Sequence, residues 1–149
     1  MDQKTIKRAE RIKDKIIQME EILEELSEVM PQSFMEYGQT KTKAACERIF
    51  EKAVEAAVDL AFLIVKAKKL KIPEDDQEAF FILSDKGFIP HSLAVKLKEA
   101  KGMRNIIAHE YGIIDDEKVF HAFTEEIERD IKDFISCINK SIIQNGQPA

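Results

Sequence analysis

The chain has 149 residues, of which 44% are hydrophobic and 34% are charged, and it contains only 5 Gly and 4 Pro. This length is sufficient for one domain with a hydrophobic core. The composition is typical of a helical globular protein rather than a disordered chain or a sandwich of short strands. The net charge of -5 argues against broad electrostatic binding of nucleic acid, since proteins that bind it in this way are usually basic.

The sequence also carries no membrane or secretion signal. No apolar run approaches the ~20 residues that a membrane-spanning helix needs. The first residues are charged and lack the apolar stretch of a signal peptide, so we expect a cytoplasmic protein without a membrane segment. Cys46 and Cys137 stand far apart and show no zinc or redox spacing, which predicts two buried free thiols.

Two long helices are predicted in the first half of the chain. The first covers residues 1–30, and apolar residues recur in it at intervals of three and four, at Ile12, Ile16, Met19, Leu23, Leu26 and Met30. Pro31 follows it, and helices usually end at or before the residue that precedes a proline. The second covers residues 40–70 and is apolar around most of its surface. This pattern is typical of the central helix of a bundle, or of a helix that also contributes to a dimer interface.

Three further helices are predicted in the second half. A short one covers residues 74–85, and Gly87 follows it as the glycine expected just past a helix end. A third long helix covers residues 91–111, and the last covers residues 116–143, with Asp115 or Asp116 as its N-cap. No segment shows the sustained alternation of a strand. We therefore predict an all-α fold: one domain, residues 1–149, built as an up-and-down bundle of four long helices and one short helix.

The segment from Arg104 to Tyr111 carries the residues best suited to chemistry. Arg104 is permanently charged and presents a planar fork of donors that fits phosphate oxygens. His109 is of the residue type that exchanges a proton near neutral pH, so it can act as a general acid or base. RNA supplies its own nucleophile, the 2′-OH, and these two residues are sufficient for metal-free cleavage with a cyclic phosphate product. The pattern also fits a surface arginine and a histidine that interacts favourably with the dipole of a helix end.

The five-residue spacing constrains how Arg104 and His109 can cooperate. On a regular helix it places the two side chains about 140° apart around the axis, so they do not share a face. Two arrangements bring both to one substrate. Either His109 lies in a loosened last turn of the helix, or two copies of the segment face each other across a dimer.

Two carboxylates on the second long helix are candidates to support Arg104. Glu55 and Asp59 are one helical turn apart on a very apolar helix. Asp and Glu are rarely fully buried, however, and this favours a solvated edge as their position. None of the 3 histidines has a glutamate three positions before it, so the Glu-x-x-His pattern of a di-iron helical bundle is absent from the sequence. We expect neither a metal nor another cofactor.

The longer pattern around this segment resembles the HepT-like branch of the HEPN superfamily. The resemblance spans most of the chain, from the second predicted helix to the last. Its distinctive part is R-N-x3-H-x-Y at residues 104–111, which matches the RX4HXY motif of that family. Residues 80–90, 97–103 and 114–115 add further similarity.

The resemblance implies an all-helical, dimeric, metal-independent RNase that acts as the toxin of a toxin–antitoxin pair. Its catalytic pair would be Arg104 and His109, and Asn105 would be a supporting polar residue. The implied partners are a second copy of the chain, an RNA substrate and a minimal nucleotidyltransferase antitoxin of the MntA type. That antitoxin would neutralise the toxin by transferring AMP to Tyr111.

Two other functions remain open at this stage. A non-catalytic helical subunit that binds and regulates a minimal nucleotidyltransferase fits the acidic net charge and the apolar second helix. A plain helical oligomerisation module is the third possibility. It would make Arg104, His109 and Tyr111 dispensable.

Overall fold

The chain folds into helices joined by short connections in the computed structural model, which describes residues 2–109 and 114–144. Four helices are long: α1 (Gln3–Val29), α3 (Thr40–Ala67), α5 (His91–His109) and α7 (Ile127–Gln144). The shorter ones are α2 (Phe34–Tyr37), α4 (Asp76–Asp85) and α6 (Asp116–His121), and a π-helical turn (Ala122–Glu126) joins α6 to α7. No strand occurs in the described residues, which confirms the all-α prediction.

Helix α3 lies at the centre of the bundle. It packs against α1, α4, α5 and α7. Its buried side chains include Phe50, Leu60 and Ala61, none of which is more than 1% exposed. The apolar surface seen in the sequence is therefore largely covered by packing within one chain.

Helix α1 begins and ends close to the predicted 1–30. Asp2 is its N-cap and accepts a hydrogen bond from the amide of Thr5 at 2.8 Å, so the helix begins two residues later than predicted. The predicted stripe is buried from Ile12 to Leu26, and Met30 at the helix end is half-buried. This stripe packs mainly on α3.

Helix α3 ends at Ala67 rather than at the predicted residue 70. Lys69 has a φ of 55°, in the left-handed region. Its amide donates to the carbonyl of Lys66 at 3.2 Å, and the amide of Leu70 donates to the carbonyl of Val65 at 2.9 Å. These two bonds form a Schellman motif, which usually has glycine at the left-handed position. Lysine gives no such signal, so the sequence did not reveal this helix end.

Helix α4 ends in the same way, but with the residue type expected. Gly87 has a φ of 81°, and the amide of Phe88 donates to the carbonyl of Leu83 at 2.9 Å. The helix begins two residues later than the predicted 74. Asp75 adopts extended backbone there, and its carboxylate accepts a hydrogen bond from the amide of Glu78 at 2.8 Å.

Helix α2 is a short element that apolar periodicity did not predict. Ser33 caps it by accepting a hydrogen bond from the amide of Glu36 at 3.1 Å. The side chain of Tyr37 is fully buried, and its ring centroid lies 5.6 Å from that of Phe120. The predicted count of one short helix was therefore wrong. The Ser-x-x-Glu spacing was the available signal, since it is typical of a helix start.

The last predicted helix, 116–143, is not one regular helix. Asp115 is its N-cap and accepts a hydrogen bond from the amide of Lys118 at 3.2 Å. After His121 the helix widens into the π-helical turn, where the hydroxyl of Thr124 donates to the carbonyl of Phe120 at 2.8 Å. Hydroxyl contacts of this kind bend helices, and apolar periodicity does not reveal them. Helix α7 then extends to Gln144.

The two cysteines differ in burial. Both are free thiols, and Cys46 on α3 is fully buried, where desolvation raises the pKa of its thiol to about 11. Cys137 on α7 is only partly buried, which corrects the prediction for that residue. Within the described residues, no helix combines the length and the apolar character that crossing a membrane requires.

Candidate functional site on α5

Helix α5 carries three of the predicted site residues, Arg104, Asn105 and His109. Its first turn follows Pro90, whose carbonyl accepts the amide hydrogens of the third and fourth helical residues. The helix packs on α3, α4 and α7 through the buried side chains of Leu93, Ala94, Leu97 and Ile107. This packing holds the backbone of the motif in place on the central helix.

The guanidinium of Arg104 is held from two sides. Nη2 donates to Oε1 of Glu55 on α3 at 2.6 Å, and Nη1 donates to Oδ1 of Asn105 at 3.3 Å. The Arg104 side chain is 20% exposed and the Glu55 side chain 40%. Nε of Arg104 is buried and has no hydrogen-bond acceptor among the described residues. Arg104 is therefore a half-buried cation with two hydrogen-bond acceptors on its guanidinium, unlike a fully exposed surface arginine.

The carboxylates of Glu55 and Asp59 have different surroundings. Glu55 contacts Arg104 directly, which is the supporting position considered from the sequence, and its side chain is also partly exposed to solvent. Asp59, one turn further along α3, pairs instead with Lys15 of α1 at 3.3 Å and is 58% exposed. The signal for Glu55 was its acidic charge on a very apolar helix. The sequence alone could not identify which positively charged side chain contacts Glu55.

His109 is the last described residue of α5 and is exposed. Helix α5 extends to this position, and residues 110–113, which follow it, lie outside the described residues, so a loosened last turn stays a prediction. His109 interacts with other groups of the chain. Within α5, the five-residue spacing separates the side chains of Arg104 and His109 by about 140° around the helix axis. Tyr111, the predicted site of modification, lies outside the described residues.

One face of α5 beside His109 is not covered by the described part of the chain. Ile106 is 42% exposed, and a Cβ added at Gly102 would meet no atom within 4 Å. These two residues and His109 are spaced by four and three positions, so they lie on one side of the helix. Among the described residues, this side of α5 carries the exposed apolar side chain of Ile106 beside His109.

No group of three or more His, Cys, Asp or Glu side chains that could hold a metal ion occurs in residues 2–109 and 114–144. The other two histidines of the chain lie outside the motif. His91 begins α5, and its ring centroid lies 5.6 Å from that of Phe81. His121 is 60% exposed, and its Nδ1 lies 2.8 Å from Oε2 of Glu125.

Comparison with known proteins identifies related sequences. The HepT-like ribonuclease family matches residues 12–138. The mRNA nuclease HepT of Shewanella oneidensis is 31% identical over 88 residues, which are 59% of this chain and 65% of that protein. That match spans slightly less than two thirds of the relative. A protein of Archaeoglobus fulgidus, whose name marks it as a proposed RNase, is 30% identical over 144 residues, or 95% of this chain and 99% of that protein.

A solved structure shares the fold over most of its length. The tri-AMPylated Shewanella oneidensis HEPN toxin in complex with its MNT antitoxin superposes on this chain with a TM-score of 0.80 at 25% identity. The superposition covers 87% of this chain and 96% of the toxin. The family match extends from α1 into α7 and includes α5 with Arg104 and His109. This chain therefore belongs to the HepT-like ribonuclease family.

Proposed function

We propose that this chain is a metal-independent endoribonuclease, the toxin of a HepT/MntA-type pair, in which Arg104 binds the scissile phosphate and His109 transfers protons. The observation that carries this proposal is the half-buried guanidinium of Arg104, which donates to Glu55 and Asn105 within the range that matches the HepT-like ribonuclease family. A half-buried arginine keeps its charge, and its remaining N–H groups can donate to phosphate oxygens.

The proposed reaction needs only these residues and the RNA. The 2′-oxygen attacks the neighbouring phosphorus while the bond from phosphorus to the 5′-oxygen breaks, which leaves a 2′,3′-cyclic phosphate and a 5′-hydroxyl end. A histidine takes the proton of the 2′-OH, and an acid returns a proton to the leaving 5′-oxygen. Arg104 stabilises the negative charge that grows on the phosphate oxygens during this step.

A second copy of the chain completes the proposed site. Arg104 and His109 leave one regular helix in different directions, so a single α5 does not direct both at one phosphate. The uncovered face with Gly102 and Ile106 lies beside His109 and offers a place for a second α5. In such a homodimer Arg104 of one copy would act together with His109 of the other copy in a shared cleft.

The proposed partner is a minimal nucleotidyltransferase that inactivates the enzyme by adding AMP to Tyr111. Support comes from the AMPylated toxin of Shewanella oneidensis, which is bound to an MNT antitoxin. AMP two residues from His109 would bring bulk and negative charge to a site that must accept an anionic phosphate. The cytoplasmic location remains a prediction from the sequence.

The function is tested by incubating the purified chain in EDTA with a single-stranded RNA of mixed sequence that carries a fluorophore and a quencher. We expect cleavage, with cyclic phosphate ends detected by mass spectrometry. The same RNA with 2′-deoxy sugars throughout should stay intact, because its nucleophile is missing. Absence of cleavage together with a stable, stoichiometric complex with a nucleotidyltransferase would instead favour the non-catalytic regulatory subunit.

The modification is tested with the minimal nucleotidyltransferase of the same genome, ATP and Mg²⁺. We expect the intact mass of the chain to rise by one or more AMP units and its RNase activity to fall. Tyr111→Phe should show neither change, because the accepting hydroxyl is absent. The chain has 2 Tyr, and Tyr37→Phe is the matched control, since the fully buried Tyr37 should not be modified. AMP on the Tyr111→Phe chain would rule out Tyr111 as the acceptor.

A further inference from the structure

We infer that Glu55 is a positioning residue for Arg104, which fixes the plane of the guanidinium so that its remaining donors meet the phosphate of the RNA. This inference rests on the proposed RNase function. Glu55 itself lies on a different helix from the motif and is not part of the RX4HXY pattern.

The Glu55 contact is the stronger of the two that hold the guanidinium. It joins opposite charges at 2.6 Å, whereas the neutral amide of Asn105 accepts at 3.3 Å. Charged hydrogen bonds are shorter and stronger than neutral ones. Asn105 is also the next residue on the same helix, so it cannot anchor Arg104 to the rest of the fold. Glu55 makes that connection.

The backbone of Glu55 is held firmly in the fold. It lies on α3, the central helix, and its neighbours Val54 and Ala56 are 2% and 3% exposed. The backbone that carries the Glu55 carboxylate is therefore fixed in the core, apart from the helix that carries the arginine. A site residue needs this kind of support from rigid elements to remain within the geometry that a reaction requires.

The contact leaves donors available for a substrate. An arginine has five N–H groups. Glu55 and Asn105 accept one each, from Nη2 and Nη1, and the Nε–H is buried. One N–H therefore remains on each of the two outer nitrogens, a pair that matches two oxygens of a phosphate. Because Glu55 bonds to a single nitrogen, it orients the fork without occupying both of its outer nitrogens.

The matched control is Asp59, one turn along the same helix. It has the same charge, but it pairs with Lys15 and is 58% exposed. Asp59→Asn therefore removes the same charge from α3 without touching Arg104. A general effect of charge on RNA binding would appear in both variants, whereas positioning of Arg104 would appear only in variants of Glu55.

The experiment measures kcat and KM for the mixed-sequence RNA in EDTA, with the thermal unfolding midpoint of each variant. We expect Glu55→Ala to lower kcat about 10²-fold with little change in KM, because a misplaced group costs this much. Glu55→Gln keeps an acceptor for Nη2 and should recover kcat to within about tenfold of the wild type, since a neutral acceptor is weaker than a charged one. Asp59→Asn should match the wild type.

Several results would overturn the inference. If Glu55→Ala or Glu55→Gln raises kcat/KM, Glu55 competes with the phosphate for Arg104 and does not position it. If both variants have wild-type kcat, the contact has no role in the reaction, although the RNase function would stand. If Glu55→Ala does not fold, the test rests on Glu55→Gln. A kcat of Glu55→Gln equal to that of Asp59→Asn would then overturn the inference. A wild-type chain that cleaves no RNA would refute the proposed function itself.

Discussion

Replacement of His109 by alanine is expected to lower kcat for RNA cleavage by about 10³-fold, because general acid–base catalysis by one side chain contributes typically 10²–10⁴-fold. The residue is exposed, so its removal should not disturb the core. The measurement is cleavage of the mixed-sequence RNA in EDTA. His121→Ala is the control, since His121 is 60% exposed and contacts Glu125 rather than the site. Cleavage by His109→Ala at the wild-type rate would show that the proposed mechanism is wrong.

The same variant can test whether the site is shared between two copies. Arg104→Ala and His109→Ala chains, each inactive alone, would be mixed, exchanged and assayed. If Arg104 of one copy acts with His109 of the other, a mixed dimer contains one intact pair and regains activity. If both residues act from the same copy, every pair in the mixed dimer is damaged. Failure to regain activity in confirmed mixed dimers would contradict the arrangement across two copies.

Arg104→Lys is expected to lower kcat/KM about 10²-fold although the charge is conserved. Lysine has a single nitrogen, so it cannot bind Glu55, Asn105 and a phosphate in the fixed planar arrangement of a guanidinium. The measurement is the same kinetic assay. Arg48→Lys is the matched control, because Arg48 is 62% exposed on α3 and pairs with Glu51 of the same helix at 3.5 Å. Wild-type activity of Arg104→Lys would show that positive charge alone is sufficient.

The helices of this protein could largely be predicted because their signals are local. The stripe of α1, the apolar surface of α3 and the glycine after α4 are each encoded within a few residues, since a helix repeats every 3.6 residues. The features that the sequence did not predict also depend on short-range contacts. The end of α3 depends on a left-handed lysine, and the π-helical turn contains a hydroxyl contact between Thr124 and Phe120. Neither residue type marks such a feature in a sequence.

The sequence by itself determined that Arg104, Asn105 and His109 lie close together on one helix, because neighbouring residues of a helix are neighbours in space. It also indicated that the spacing from Arg104 to His109 separates their side chains. Only the tertiary structure decided which carboxylate meets Arg104. Glu55 is 49 positions away in the chain, and it meets the guanidinium because α3 and α5 pack against each other. The rotation and crossing of two packed helices depend on the whole core, so periodicity could not distinguish Glu55 from Asp59.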